Sequence, residues 1–192
     1  MTEHAESPVV AIFGGSFNPP HVGHLLAATY VLACTPVDRV VVVPTYRHPF
    51  QKPLAPFDDR LAMCRHAFAG MANVEVSDVE KMLGGESLTV RTLEHFASVH
   101  PHWRMRLVIG ADVLNELPTW TRPDRVRELA PPLPLARVGH VAPNDADTSP
   151  PVLPDVSSTT VRGLFAKAEW EQAQRLVPAS VVAYARQHGL YR

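Results

Sequence analysis

The chain has little excess charge of either sign and little cysteine. Its 18 lysines and arginines nearly balance 19 aspartates and glutamates, for a net charge of −1. No basic excess serves a nucleic-acid backbone, and no acidic tail serves a cationic partner, so no nucleic acid is expected as a partner. Two cysteines, Cys34 and Cys64, are too few for a disulfide framework. Both fall in apolar helical patterns and read as small buried hydrophobes in a reducing compartment, not as catalytic thiols. No apolar run approaches the roughly 20 residues that cross a bilayer. The opening, Met1 to Pro8, is polar and acidic, unlike a secretory signal, so a cytoplasmic location away from membranes is expected. No second His/Cys cluster stands at ligand spacing, and no resident metal is expected.

Proline, by contrast, is plentiful: its 19 copies concentrate in the connections and imply stiff loops. Between those loops, strand and helix patterns alternate. Strands are expected at 9–13, 39–43, 73–76, 104–110 and 134–138, with helices near 21–34, 57–69, 87–99 and 123–130. Arg39 to Val43 is β-branched and stops at Pro44, as a buried parallel strand does. The alternation predicts an α/β fold with a doubly wound, mostly parallel sheet, in which ligands bind beyond the carboxyl ends of the strands. One domain of 1–192 is expected, with a Rossmann-like core at 8–156 and two or three short C-terminal helices at 157–192. Residues 44–56 and 139–154 read as proline-rich, solvent-facing loops, the second with a short strand near Val152 and Leu153.

The most informative stretch follows the first strand: Gly14-Gly15-Ser16-Phe17-Asn18-Pro19-Pro20-His21-Val22-Gly23-His24. Glycines at a strand end let backbone N–H groups approach an anion. Pro19 and Pro20 stiffen the entry to a helix, His21 and His24 share one face of its first turn, and Gly23 keeps a side chain out of the ligand's way. Two imidazoles beside a helix N-terminus suit a polyphosphate. A second segment, Ser157-Ser158-Thr159-Thr160-Val161-Arg162, opens another helix, with Ser157 or Ser158 as its cap and a guanidinium one turn in that can fork two phosphate oxygens. In a third, Leu107 to Trp120, a strand ends at Gly110, where a missing side chain admits a base or ribose. There Asp112 is either a helix cap or a ribose ligand, and Trp120 either a core aromatic or a stacking surface.

The first segment resembles the HxGH motif of the nucleotidyltransferase superfamily, and the second resembles that superfamily's SSTxxR motif. Together with Ile109-Gly110-Ala111-Asp112 and Trp120, they make the chain similar over nearly its whole length to bacterial nicotinate-mononucleotide adenylyltransferases. The third segment distinguishes it from phosphopantetheine adenylyltransferases, which are shorter and lack it. The resemblance implies ATP binding by Gly14, Gly15, Ser16, Phe17, His21, His24, Gly110, Asp112, Ser157, Ser158, Thr159 and Arg162, with His21, His24 and Arg162 as the catalytic set. It puts Asn18, Lys52, Thr89 and Trp120 on the acceptor side, and Mg²⁺ on the ATP oxygens.

The chain also departs from the family. Asn18 replaces the aspartate of many relatives, Gln51 replaces the histidine before Lys52, and Leu88 and Arg91 replace a tyrosine and an aspartate around Thr89. Arg91 reads as an ordinary surface charge. The implied reaction is attack by an acceptor phosphate, nicotinate mononucleotide first, on the α-phosphorus of ATP. The alternatives are nicotinamide mononucleotide or another phosphorylated acceptor such as phosphopantetheine, and a nucleotide-binding regulator without turnover.

Overall fold

Side chains along each central strand alternate between two layers, and this alternation sets the architecture. The structure, a computed structural model, describes residues 7–49, 53–136 and 153–192. Within them, β1 (Val9–Gly15), β2 (Arg39–Pro44), β3 (Val74–Val76), β4 (Arg104–Gly110) and β5 (Pro132–Leu135) form one sheet. Their order is β3-β2-β1-β4-β5, with every neighbouring pair parallel. Ala11, Val40, Val42 and Val108 point into one core. It is closed by α1 (Val22–Cys34), α2 (Phe57–Phe68), α7 (Ser158–Ala166), α8 (Trp170–Ala173) and α9 (Ala179–Gln187). Val10, Ile12, Val41, Val43, Met105 and Leu107 point into the other. That side is covered by α3 (Val79–Leu83), α4 (Thr89–Val99), α6 (Pro123–Leu129) and a 3-10 turn at Leu117–Thr119. A sheet covered on both faces requires apolar residues at successive strand positions, which is why β2 reads as an unbroken valine run.

The doubly wound sheet matches expectation, but several details differ. The last strand starts at Pro132, earlier than its prolines suggested; it is an edge strand, where a missing N–H is tolerated. Positions 137 and 138 of the expected strand lie outside the described residues. So does most of the 139–154 loop, including Val152. Leu153 is described, and its N–H donates to the Ala136 carbonyl at 3.1 Å. Cys64 is buried as expected, and burial pushes its thiol up, away from the reactive thiolate. Cys34 is exposed, because the last turn of α1 carries it to the solvent side of that helix.

Strand pairing also opens the site. β1 follows β2 as far as Gly15 opposite Pro44, and β4 follows β5 as far as Gly110 opposite Leu135. Pairing between β1 and β4 stops earlier, at Ile12 opposite Leu107. Beyond that point the two strands run on separately for about 10 Å, at roughly 3.3 Å per residue. The crevice between them lies at their carboxyl ends, where the strand order reverses and α/β sheets bind ligands.

Candidate active site

The turn from β1 into α1 carries both histidines. His21 is the N-cap of α1, with extended backbone, and its ring is 2 % exposed. His24 occupies the third helical position, and its Nδ1 accepts the His21 backbone N–H at 3.1 Å. That is half of a capping box, with imidazole in the role usually taken by glutamate. With Nδ1 as an acceptor, the neutral ring is the tautomer that carries its hydrogen on Nε2. The two rings sit 3.9 Å apart between centroids, and Phe17 packs on His24 at 4.8 Å. Phe17, at φ 44°, is buried, so its side chain is a wall behind His24. Gly23 also leaves room for the protein's own side chain: a Cβ there would stand 3.1 Å from the His21 ring, which would have to shift. The first turn's Val22 N–H is taken by the Leu176 carbonyl at 2.8 Å.

The second motif is hydrogen-bonded directly to the first. Ser157 caps α7 by accepting the Thr160 N–H at 3.1 Å. Ser158 Oγ donates to the Pro19 carbonyl at 2.9 Å, and Arg162 Nη1 donates to the Asn18 carbonyl at 2.8 Å. Arg162 Nη2 reaches Thr159 Oγ1 at 3.1 Å, so the guanidinium is held at the crevice by both segments. Gly14 is exposed at the mouth of the crevice, with open space above it. Across the gap, Asp112 lies in the first turn of α5 (Ala111–Leu114). A Cβ on Gly110 would collide with the Asp112 carboxylate, so this glycine makes room for the protein's own side chain.

On the expected acceptor side, Thr89 begins α4 and is half-buried, while Trp120 is half-buried against the second core. Lys52 lies outside the described residues, as do Phe50 and Gln51. Asn18 is 3 % exposed, and its Oδ1 accepts the Ala55 N–H at 3.1 Å and the Tyr191 hydroxyl at 2.9 Å. Arg91 is not a surface charge. It donates to the carbonyls of Leu83, Gly84 and Glu86 at 3.1, 3.0 and 2.9 Å, and so fixes the turn before α4.

Four supporting residues were not among the expected site residues. Arg60, 1 % exposed, donates to the Ser16 and Ala55 carbonyls, each at 2.9 Å, and burial lowers its hold on its proton. Its position on the apolar stripe Phe57-Arg60-Leu61-Cys64-Phe68 is a detectable sign, since a charge on such a stripe needs internal partners. Glu80 and Ser87 strap the loop after β2. Glu80 Oε2 and Ser87 Oγ accept the Tyr46 N–H at 2.9 and 2.8 Å, and Thr92 donates to Glu80 Oε1 at 3.2 Å. Burial raises the Glu80 carboxyl above the usual range, only partly offset by these bonds. Tyr191 is the fourth.

Comparison with known proteins adds to this geometry. A cytidylyltransferase-like family model matches residues 12–164. A protein of Anaeromyxobacter sp. (strain K) is 46 % identical over 186 residues, covering 95 % of this chain and 96 % of its own length. One of Myxococcus xanthus is 46 % identical over 183 residues, covering 95 % and 94 %. One of Thermus thermophilus is 34 % identical over 190 residues, covering 95 % and 99 %. Each is named a probable nicotinate-nucleotide adenylyltransferase. The fold matches that of Plasmodium falciparum nicotinic acid mononucleotide adenylyltransferase complexed with NaAD. The TM-score is 0.80 at 17 % identity, covering 96 % of this chain and 97 % of that one. Among the described residues, no group of three or more His, Cys, Asp or Glu could hold a metal ion, and no helix is long and apolar enough to cross a membrane.

Proposed function

We infer the reaction from one premise: the chain belongs to the cytidylyltransferase-like family and, within it, to the nicotinate-nucleotide adenylyltransferases. It transfers AMP from ATP to nicotinate mononucleotide, giving nicotinate adenine dinucleotide and pyrophosphate. The observation that supports this most directly is the pair of hydrogen bonds from Ser158 and Arg162 to the Pro19 and Asn18 carbonyls. They join the two phosphate motifs into one wall of the crevice.

In our reading, the acceptor phosphate is already anionic near neutral pH and attacks the α-phosphorus in line, so the protein supplies neither a base nor a nucleophile. Its work is alignment and neutralisation of the charge that builds on the leaving pyrophosphate. His24 offers Nε2–H to the α-phosphate, and His21 braces His24 and faces the same phosphates. Gly14 to Phe17 line the strand end beneath them. Arg162 and the first turn of α7, from Ser157 to Thr159, take the β,γ end. Gly110 and Asp112 frame the adenosine, with the carboxylate accepting ribose hydroxyls. Lys52, Thr89 and Trp120 form the acceptor half, and Asn18 supports it from behind. Mg²⁺ enters with ATP on its phosphate oxygens. We place the enzyme in the cytoplasm and treat 1–192 as one catalytic unit, with 157–192 closing the site. The test is pyrophosphate release from ATP with a panel of acceptors. Turnover with nicotinate mononucleotide is expected, and turnover with only phosphopantetheine, or with none, would sink the reading.

A further inference from the structure

Tyr191 lies outside every motif, yet its hydroxyl donates to Asn18 Oδ1 at 2.9 Å, across most of the chain. We propose that Tyr191 is a positioning residue for adenylyl transfer, acting through Asn18 on Arg162. The proposal rests on the adenylyltransferase reading above.

Asn18 is gripped at both ends. Its Oδ1 takes two donors, Tyr191 and the Ala55 N–H, while its backbone carbonyl takes the Arg162 guanidinium. The side chain is 3 % exposed, so no water replaces a lost partner freely. Tyr191 itself is held on several sides. Its ring lies 5.7 Å from that of Phe165, on the same helix as Arg162, and its backbone adopts φ 66°, which non-glycine residues seldom take unless their surroundings impose it. Arg60 and Arg162 both lie close enough to favour the ionised phenol, but burial outweighs them and pushes the hydroxyl well above its ordinary range. The phenol therefore stays protonated and remains a donor.

Without that donor, Asn18 Oδ1 keeps, among the described residues, the Ala55 bond alone, and its peptide, the Arg162 acceptor, is freer to shift. A small misplacement of Arg162 harms the transition state more than the ground state, because charge on the leaving pyrophosphate peaks there. Tyr191→Phe keeps the ring and removes the hydroxyl. We expect kcat to fall about tenfold with KM for nicotinate mononucleotide within about twofold and the melting temperature within a few degrees. In an Arg162→Lys background, which lacks the fork, the same change should cost less than about twofold. Equal losses in both backgrounds, or a loss that tracks the melting temperature, would overturn the proposal. If Tyr191→Phe does not fold, Asn18→Ala, expected to lose kcat in the Arg162 protein and much less in the Arg162→Lys background, carries the same comparison. Calorimetric titration with α,β-methylene-ATP separates the two failures. A parent that binds it but does not turn over nicotinate mononucleotide refutes the reaction. In that case pyrophosphate, which carries the charge of the leaving group, reads the link: binding weakened severalfold by Tyr191→Phe in the Arg162 protein alone supports it, and unchanged pyrophosphate binding rejects it.

Discussion

His24 does two jobs with two different atoms. Nδ1 caps the His21 N–H, while Nε2–H is the donor assigned to the α-phosphate. Truncation to alanine removes both. Losing one preorganised donor typically costs ~10²–10³ in kcat. Losing a cap costs about 1 kcal/mol, a fall of roughly 2–4 °C in melting temperature at this size. Two further substitutions separate the jobs. The Oδ1 of His24→Asn reaches the position of Nδ1, so this variant should melt near the parent and be about as inactive as alanine. The amide of His24→Gln reaches the position of Nε2, so this variant should recover part of the turnover and melt lower than His24→Asn. Thermal melts beside initial rates read both, and the opposite ranking would reassign the donor. At this scale the sequence was legible where chemistry demands a residue type at fixed spacing, as with His21, His24, Ser158 and Arg162. Glu80 and Tyr191 were not legible, since the Tyr46 amide and the Asn18 side chain they hold lie 34 and 173 residues away and no spacing announces them, while Arg60 showed only as a charge on an apolar stripe.

Between elements, the site depends on close approach. Gly23 sits in the first turn of α1 with the His21 ring against its Cα, and a Cβ at 3.1 Å would push a ring that is already buried. Alanine is the better helix former by up to about 1 kcal/mol. Gly23→Ala should therefore leave the melting temperature level or raised while kcat falls about tenfold through the displaced imidazoles. A variant with parent-like rates would show that the ring tolerates the shift. The loops on the acceptor side are joined by Glu80 and Ser87 on Tyr46, a strap whose carboxyl is raised by burial. A raised folded-state value means the folded protein binds that proton more tightly than the unfolded chain. The stabilising contribution is then complete below the ordinary glutamate range and is lost as pH climbs through the raised value. Denaturant melts of parent and Glu80→Gln across pH 4 to 8 isolate the effect. The parent should lose stability relative to the variant as pH rises from about 4.3, and a flat or rising difference would refute the raised carboxyl. Arg91 shows why the strap was hard to foresee. The residue stands where relatives carry an acid, and its three carbonyl acceptors exist only once the 83–86 turn has formed.

Across the whole molecule, the sheet divides the site in two. β1 sends Ala11 into the core that carries α1 and α7, and Val10 and Ile12 into the core that carries α4 and Trp120. The residues proposed to hold the phosphates therefore rest on one layer, and Thr89 and Trp120, proposed for the acceptor, on the other. Strand alternation made these layers readable, but the crevice was not, because it arises from where pairing stops. This division predicts that damage in one layer affects mainly one substrate. Trp120 packs on the second core with one side exposed, so Trp120→Ala should raise KM for the acceptor by roughly tenfold or more, the scale of one lost stacking contact, and leave KM for ATP within about twofold. The same layer must separate nicotinate from nicotinamide mononucleotide. Arg91 is occupied by three carbonyls and Arg47 is exposed over the Tyr46 ring, so neither is set to form a buried ion pair with the nicotinate carboxylate. Among the described residues, the proposed recognition then falls to hydrogen-bond donors, such as the Thr89 hydroxyl and the amides opening α4. An amide in place of the carboxylate would set donor against donor there, and unpaired buried groups reject a mismatch strongly. The parent should thus favour nicotinate mononucleotide, and Trp120→Ala, which removes stacking common to both rings, should weaken both acceptors while leaving their ratio nearly intact. Measuring kcat/KM for both acceptors on both proteins decides it. A ratio that collapses in the variant would make Trp120 the discriminator, and an unchanged acceptor KM would make it a core residue only.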